Sequence, residues 1–224
     1  MSKAGQLVGQ IRSELEDLDE KIRRHRYLDA LEAGLIQGDA LRAFAGQQYH
    51  IITSDVRSVA LSVSRHGTLA SRTFLMNVLQ GELAASDVLL SFATALGMSG
   101  DDLEACEPLP EAHAYCAFVA WLAIYGSDAE LAGGFLVNFA AWGANCGRMA
   151  KALQEKYGLA APDVAFFKLF ASMRPFEEEA LGVIQGGLDR GIPARLIHRA
   201  ARMLQGYELM YWDALAEAAA IGTS

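Results

Sequence analysis

The sequence predicts an all-α protein, a single-domain bundle of seven to eight helices. Three observations carry that reading. Apolar residues recur at three- and four-residue steps along the chain, and no stretch alternates like a strand. Valine and isoleucine are scattered and never cluster between turn signals. Proline is scarce, and of Pro108, Pro110, Pro162, Pro175 and Pro193 four fall where helices should start or stop. With no low-complexity linker and no internal repeat, residues 1–224 read as one domain.

The elements follow in order. A first helix covers residues 5–33, bent near Arg24. Its front half is charged on most faces and is expected to be exposed. A turn at Gly34 to Gly38 leads to Asp39, whose side chain suits an N-cap. The second helix, 39–65, carries Leu41, Phe44, Gln48, Ile51 and Ile52 on one face. Gln48 is out of place in that stripe, because a buried amide must find partners or bind something. A third helix runs from Thr68 to Leu96 and stops at Gly97. Ser99 to Asp102 caps a short turn. Pro108 and Pro110 then break the chain before a helix over 110–125. Ser127 and Glu130 form a capping box that opens a long fifth helix, 128–157, closed by Gly158. Pro162 begins a sixth, with a break around Arg174-Pro175 and a continuation to Leu188, ended by Gly191. Pro193 opens the last helix, to Ala219.

Composition narrows the function. The chain is 52% hydrophobic and only 21% charged, which points to an oligomer interface, a dimer or tetramer, or to a large interior pocket. A net charge of −8 argues against nucleic acid and against anionic membranes as partners. No run of about 18 apolar residues suggests a membrane span, and MSKAGQLVGQ lacks the apolar core of a signal peptide. Cys106, Cys116 and Cys146 are an odd number without CxxC spacing, which fits free thiols in a reducing cytoplasm.

Glu208 is the leading candidate for chemistry. It sits in Tyr207-Glu208-Leu209-Met210-Tyr211-Trp212, too aromatic a patch to face water all round. A carboxylate desolvated there would be shifted towards acid–base duty, whereas a solvated Glu in line with Gln205 or Asp213 would do nothing. On the fifth helix Gly133, Gly134, Ala140, Ala141, Gly143, Ala144 and Gly147 leave one side nearly bare. Each interior glycine costs about 1 kcal/mol against alanine, so the row marks close helix contact or room for a flat ligand. Cys116 and Cys146 lie in apolar stripes and read as core thiols, with no neighbour to lower their pKa. No two histidines among His25, His50, His66, His113 and His198 share a helix face at ligand spacing, and no metal site or cofactor is expected.

The stretch His25 to His50, HRYLDALEAGLIQGDALRAFAGQQYH, resembles the opening of the TenA/thiaminase II and PqqC group. Gln80-Gly81-Glu82, Pro110 to Tyr115 and Tyr207 to Trp212 extend the likeness in the right order. The resemblance implies a haem-oxygenase-like fold and a central pocket. It makes Glu208 the acid/base, and it places Gln48 where thiaminases carry an Asp, and Ile51 where they carry a Tyr. It sets Asn138-Phe139 against a Pro-Cys pair whose Cys is the nucleophile. Gly143 and Met173 fall where the group has tyrosines.

Without that nucleophile and Asp, ordinary thiamin cleavage is not expected. Phe139, Ile51 and Met173 add apolar wall, Gly143 removes bulk, and Gln48 and Glu208 leave polar groups at opposite ends. Tyr207 and Tyr211 complete the expected ligand-binding set. The ligand so implied is a small planar heterocycle with one polar edge, and the reaction a C–N hydrolysis of a pyrimidine- or thiamin-related compound. Two alternatives stand beside it: a non-catalytic haem or bilin binder with His25 near the metal, and a pseudo-enzyme acting through protein contacts.

Overall fold

A computed structural model describes residues 2–173 and 176–222 of the chain. Eleven helices are present among them: α1 Lys3–Glu14, α2 Glu16–Arg23, α3 Arg26–Glu32, α4 Gly38–Arg65, α5 Leu69–Ala95, α6 Gly100–Glu104, α7 Pro110–Tyr125, α8 Asp128–Tyr157, α9 Ala165–Ala171, α10 Glu177–Asp189 and α11 Ala194–Ala218. No strand occurs among the described residues.

The count exceeds seven or eight because the expected first helix is three pieces. It is interrupted at Leu15 and at Arg24-His25, where the His25 side chain accepts from the Tyr27 N–H and caps α3. The front piece is not exposed as expected. Ala4, Val8, Ile11 and Leu15 form a narrow stripe at helical spacing and are buried, and the Ala4 N–H donates to Gln185 on α10. Asp39 is not the N-cap of α4. The helix begins one residue earlier behind Gln37, and Asp39 in its first turn pairs with Arg42 instead. The two capping boxes are present, Ser99 with Asp102 and Ser127 with Glu130. Gly158 ends α8 at φ 69°, a left-handed conformation that a Cβ would strain. The expected break at Arg174-Pro175 lies outside the described residues; α9 ends at Ala171 and α10 begins at Glu177.

α8 is the axis of the bundle, buried along most of its length, with α11, α10, α9 and α3 packed around it. Its glycines serve that packing. A Cβ on Gly133 would run into Ile197, and one on Gly134 would lie 2.6 Å from Leu204 Cδ1, so these two are the α8–α11 seam. Arg148 reaches from α8 to Asp29 and Glu32 at 2.8 and 2.7 Å and ties down α3. α4 packs on α5 and α7, and α7 on α11.

The interior is two apolar clusters. One contains Phe44, Phe92, Phe167, Trp142 and Trp212; the other contains Phe74, Phe135, Ile197 and Leu204. Each such side chain stabilises the fold by about 1.5–3 kcal/mol when fully buried. The clusters do not merge into one solid core. Where they meet, between α4, α5, α7, α8, α9 and α11, the bundle holds a cavity.

Candidate active site

The cavity and the solvent space at its open mouth together make up about 470 Å³ not filled by atoms. α4 supplies Gln48, Ile51, Ile52 and Asp55, four positions on one helical face. Across from them stand Glu82 of α5, Tyr115 of α7, Asn138, Phe139 and Trp142 of α8, Phe170 of α9, and Glu208 and Tyr211 of α11.

Glu208 is buried, 3% exposed. Its two oxygens accept from different donors: Trp212 Nε1 at 3.1 Å, one turn along α11, and the Asn138 amide from α8. Asn138 is itself held, donating to Gln205 Oε1 at 3.1 Å and accepting from the Tyr115 hydroxyl at 2.9 Å. That fixes which end of the amide is the donor. Burial pushes the Glu208 carboxyl up to about 7, against the lowering effect of Trp212 and Asn138. Glu208 is therefore close to half-protonated near neutral pH. With both oxygens already accepting, its proton must use a lone pair those donors leave free.

Gln48, the out-of-place amide, donates to the Tyr211 hydroxyl at 2.7 Å. This bond joins α4 to α11 at the cavity wall. Ile51, Phe139 and Tyr211 also line the cavity. Gly143 and Met173 do not line it; they border an adjoining groove with Phe170 and Phe176. A Cβ on Gly143 would sit 3.0 Å from the Phe170 carbonyl, so its bareness admits the backbone of α9. Tyr207 is not among the lining residues and rests on Phe118 at a centroid distance of 5.6 Å.

His25 lies beside Trp212, at a centroid distance of 6.4 Å, is not among the residues lining the cavity, and is 6% exposed. Its Nδ1 accepts from the Tyr27 N–H at 3.2 Å, so the neutral ring carries its proton on Nε2 and donates to Asp213 at 3.1 Å. Both nitrogens are thus engaged. Cys116 and Cys146 are buried; burial pushes the Cys116 thiol up to about 12 and Cys146 up as well. Among the described residues, no three His, Cys, Asp or Glu side chains converge in a way that could hold a metal ion.

The pocket is not the dry one the substitutions suggested. Asp55 and Glu82, only 4% and 7% exposed, bring two more carboxyls to its wall, and Tyr115 and Asn138 add polar groups. Burial and each other's proximity hold Asp55 well above the usual carboxylate range, and burial raises Glu82. Asp55 could have been found by extending the α4 stripe, since it follows Gln48 and Ile52 at the same helical spacing. The other three had no local signal pointing inward.

This architecture and this chain length are shared. The profile of the TENA/THI-4/PQQC family matches residues 12–173. The chain belongs to that family. A TenA homologue from Pseudomonas syringae pv. tomato superposes with a TM-score of 0.80 at 14% identity, over 93% of this chain and 92% of that one. A TenA homologue from Pyrococcus furiosus gives 0.75 at 17%, over 93% and 99%. Heme oxygenase-1 from Synechocystis in complex with heme gives 0.67 at 14%, over 94% and 91%. At these identities the structures share the fold. No curated protein matches the sequence significantly. The fold is thus the haem-oxygenase-like bundle that the TenA-type residues implied. No helix among the described residues is long and apolar enough to cross a membrane.

Proposed function

We propose that this TenA-type protein binds a small planar heterocycle in the central cavity and hydrolyses a C–N bond of it, with Glu208 as the acid and base. One observation carries the reading. A carboxyl held by two donors, buried at the cavity wall and raised to about 7, can give and take a proton at neutral pH. In the reaction Glu208 protonates the leaving nitrogen as the C–N bond breaks. A water supplies the oxygen that bonds to carbon, and one of its protons restores Glu208. The products are an alcohol or acid and a free amine.

The aromatic walls Phe139, Trp142, Phe170 and Tyr211 suit a flat ring, which would lie between them. Phe139 has no nucleophilic atom, so the water attacks directly and no covalent intermediate forms. Thiamin turnover of the thiol-dependent kind is accordingly expected to be absent or very weak. A tetrapyrrole with acidic side chains is the less favoured ligand. The cavity lining has no Lys, Arg or His to receive them, and His25 is committed at both nitrogens.

The test is a panel of aminopyrimidines bearing C–N-linked substituents, thiamin included, with released amine as the readout. Glu208→Gln should lower turnover of any active compound by about 10²–10⁴-fold. Mass spectrometry of the purified protein would identify any retained ring. Turnover that survives Glu208→Gln, or that is abolished by thiol alkylation, would refute the assignment.

A further inference from the structure

We propose that the end of the cavity formed by α4 and α5 is a subsite for a cationic nitrogen of the ligand, a protonated amine or amidinium received by Asp55 and Glu82. The proposal deepens the functional reading above by naming the ligand's charge, and it rests on that reading only for the cavity being where the ligand binds.

The first observation is an unpartnered atom. Asp55 is 4% exposed, and its Oδ1 has no hydrogen-bond partner. Buried carboxylate oxygens are almost always satisfied, because leaving one bare is costly. This one lies on a helix face that lines a cavity. Asp55 therefore borders the space a ligand would fill, and its carboxyl has an oxygen left over for a ligand N–H.

The second observation is the charge of the wall. Three of the lining side chains, Asp55, Glu82 and Glu208, are carboxyls, and none is Lys, Arg or His. The groups packed around Asp55 offer no compensating cation. α5 presents Glu82; α7 presents Tyr115 and Cys116, and the Cys116 thiol is directed to the His113 carbonyl at 3.3 Å; α11 presents Glu208. Tyr115 gives its proton to Asn138. A phosphate or carboxylate would find no positive partner there, and would oppose ionisation of an acid pair already pushed towards its protonated form by burial and mutual repulsion. A cation would relieve the repulsion between Asp55 and Glu82 and satisfy Oδ1 in one step.

The third observation is the division of labour. Each Glu208 oxygen accepts from one donor, Trp212 or Asn138, and the carboxyl keeps a lone pair for a proton, whereas no donor reaches Asp55 Oδ1. Glu208 is thus placed to handle a proton and Asp55 to hold a charge. The ligand that fits is a flat ring with a cationic nitrogen at one end and its labile C–N bond near Glu208.

Calorimetry on the whole protein tests this with three flat probes of nearly equal shape: benzamidine, a cation; benzamide, neutral; and benzoate, an anion. Benzamidine should bind at least roughly tenfold more tightly than benzamide, and benzoate should not bind. In the double variant Asp55→Asn, Glu82→Gln the two affinities should become equal. In Glu208→Gln the preference should persist while any hydrolysis is lost, so failure of the catalytic reading and failure of this one are separable. Equal affinities in the unmodified protein would overturn the proposal without any variant having to fold. So would a preference that survives the double substitution, or one lost in Glu208→Gln alone. Saturable binding of Mn²⁺ that displaces benzamidine would assign the pair to a metal instead.

Discussion

Glu208→Gln offers a thermodynamic test that needs no substrate. The wild-type carboxyl titrates near 7 in the folded chain against 4.5 ordinarily, because burial penalises its charged form. Its folded pKa is raised, so its contribution to stability is full below about 4.5 and is lost as pH rises through about 7. Integrating the linkage, the wild type gives up about 1.4 kcal/mol of that contribution by about pH 5.5 and about 3.4 by about pH 8.5. Glutamine does not titrate. It keeps one acceptor for Trp212 or Asn138 but turns its own N–H₂ towards the other donor, a mismatch costing about 1–3 kcal/mol at any pH. The variant should therefore be less stable than wild type at about pH 5.5, and the gap should close by about 2 kcal/mol at about pH 8.5. Urea unfolding at the two pH values reads this directly, because the other groups that the Glu208 charge acts on, Tyr115, Cys146 and Tyr211, are raised by burial and stay protonated in the folded chain over this range. A gap constant to within about 0.5 kcal/mol would show that Glu208 is not raised, and would remove the acid–base argument built on it.

Three further outcomes are expected. Gly143→Tyr should lower the melting temperature by roughly 4–8 °C, because its Cβ meets the Phe170 carbonyl and overpacking of about 2 kcal/mol pushes α9 away; an unchanged melting temperature would mean the position opens to a ligand. Alkylation of the folded protein should modify at most Cys106, the one thiol that is partly exposed, while denaturation should release all three; a folded-state adduct on Cys116 or Cys146, read by mass spectrometry, would contradict their burial. The chain should self-associate through α5, where Leu69, Met76, Leu83 and Leu90 are exposed at seven-residue spacing, and Leu83→Glu should shift the mass measured by light scattering to that of the 24.2 kDa monomer; a wild-type chain already monomeric would refute it.

The long helices were legible in the sequence because their signals are local. The capping box at Ser127, the glycine at 158 and the prolines at 110 and 193 act on neighbouring backbone, and α7, α8 and α11 begin, and α8 ends, within a residue of where these signals fall. The bend near Arg24 was expected, but the interruption at Leu15 was not legible, since no proline or glycine marks it. Ile22, Tyr27 and Leu28, on either side of the bend, are all buried in one apolar cluster.

The site divides in the same way. Glu208 could be read from its own helix, because Tyr211 and Trp212 sit within one turn and imply burial. Gln48 announced itself as a polar residue in an apolar stripe. Asp55 continues the same stripe and could have been found that way, but Glu82 could not, because nothing on its own helix marks it. It looks like a solvated acid until α4 and α5 are packed together beside α8 and α11. Two carboxyls on two elements become one electrostatic problem only in the folded chain, and the fold leaves it unsolved: Oδ1 of Asp55 stays bare and no Lys, Arg or His lines the wall. A bundle with 56 buried hydrophobic side chains among its described residues could have placed one more there. That it keeps a buried acid pair facing an apolar-walled cavity, beside a third acid already satisfied by Trp212 and Asn138, is most simply explained by a ligand that brings the missing positive charge.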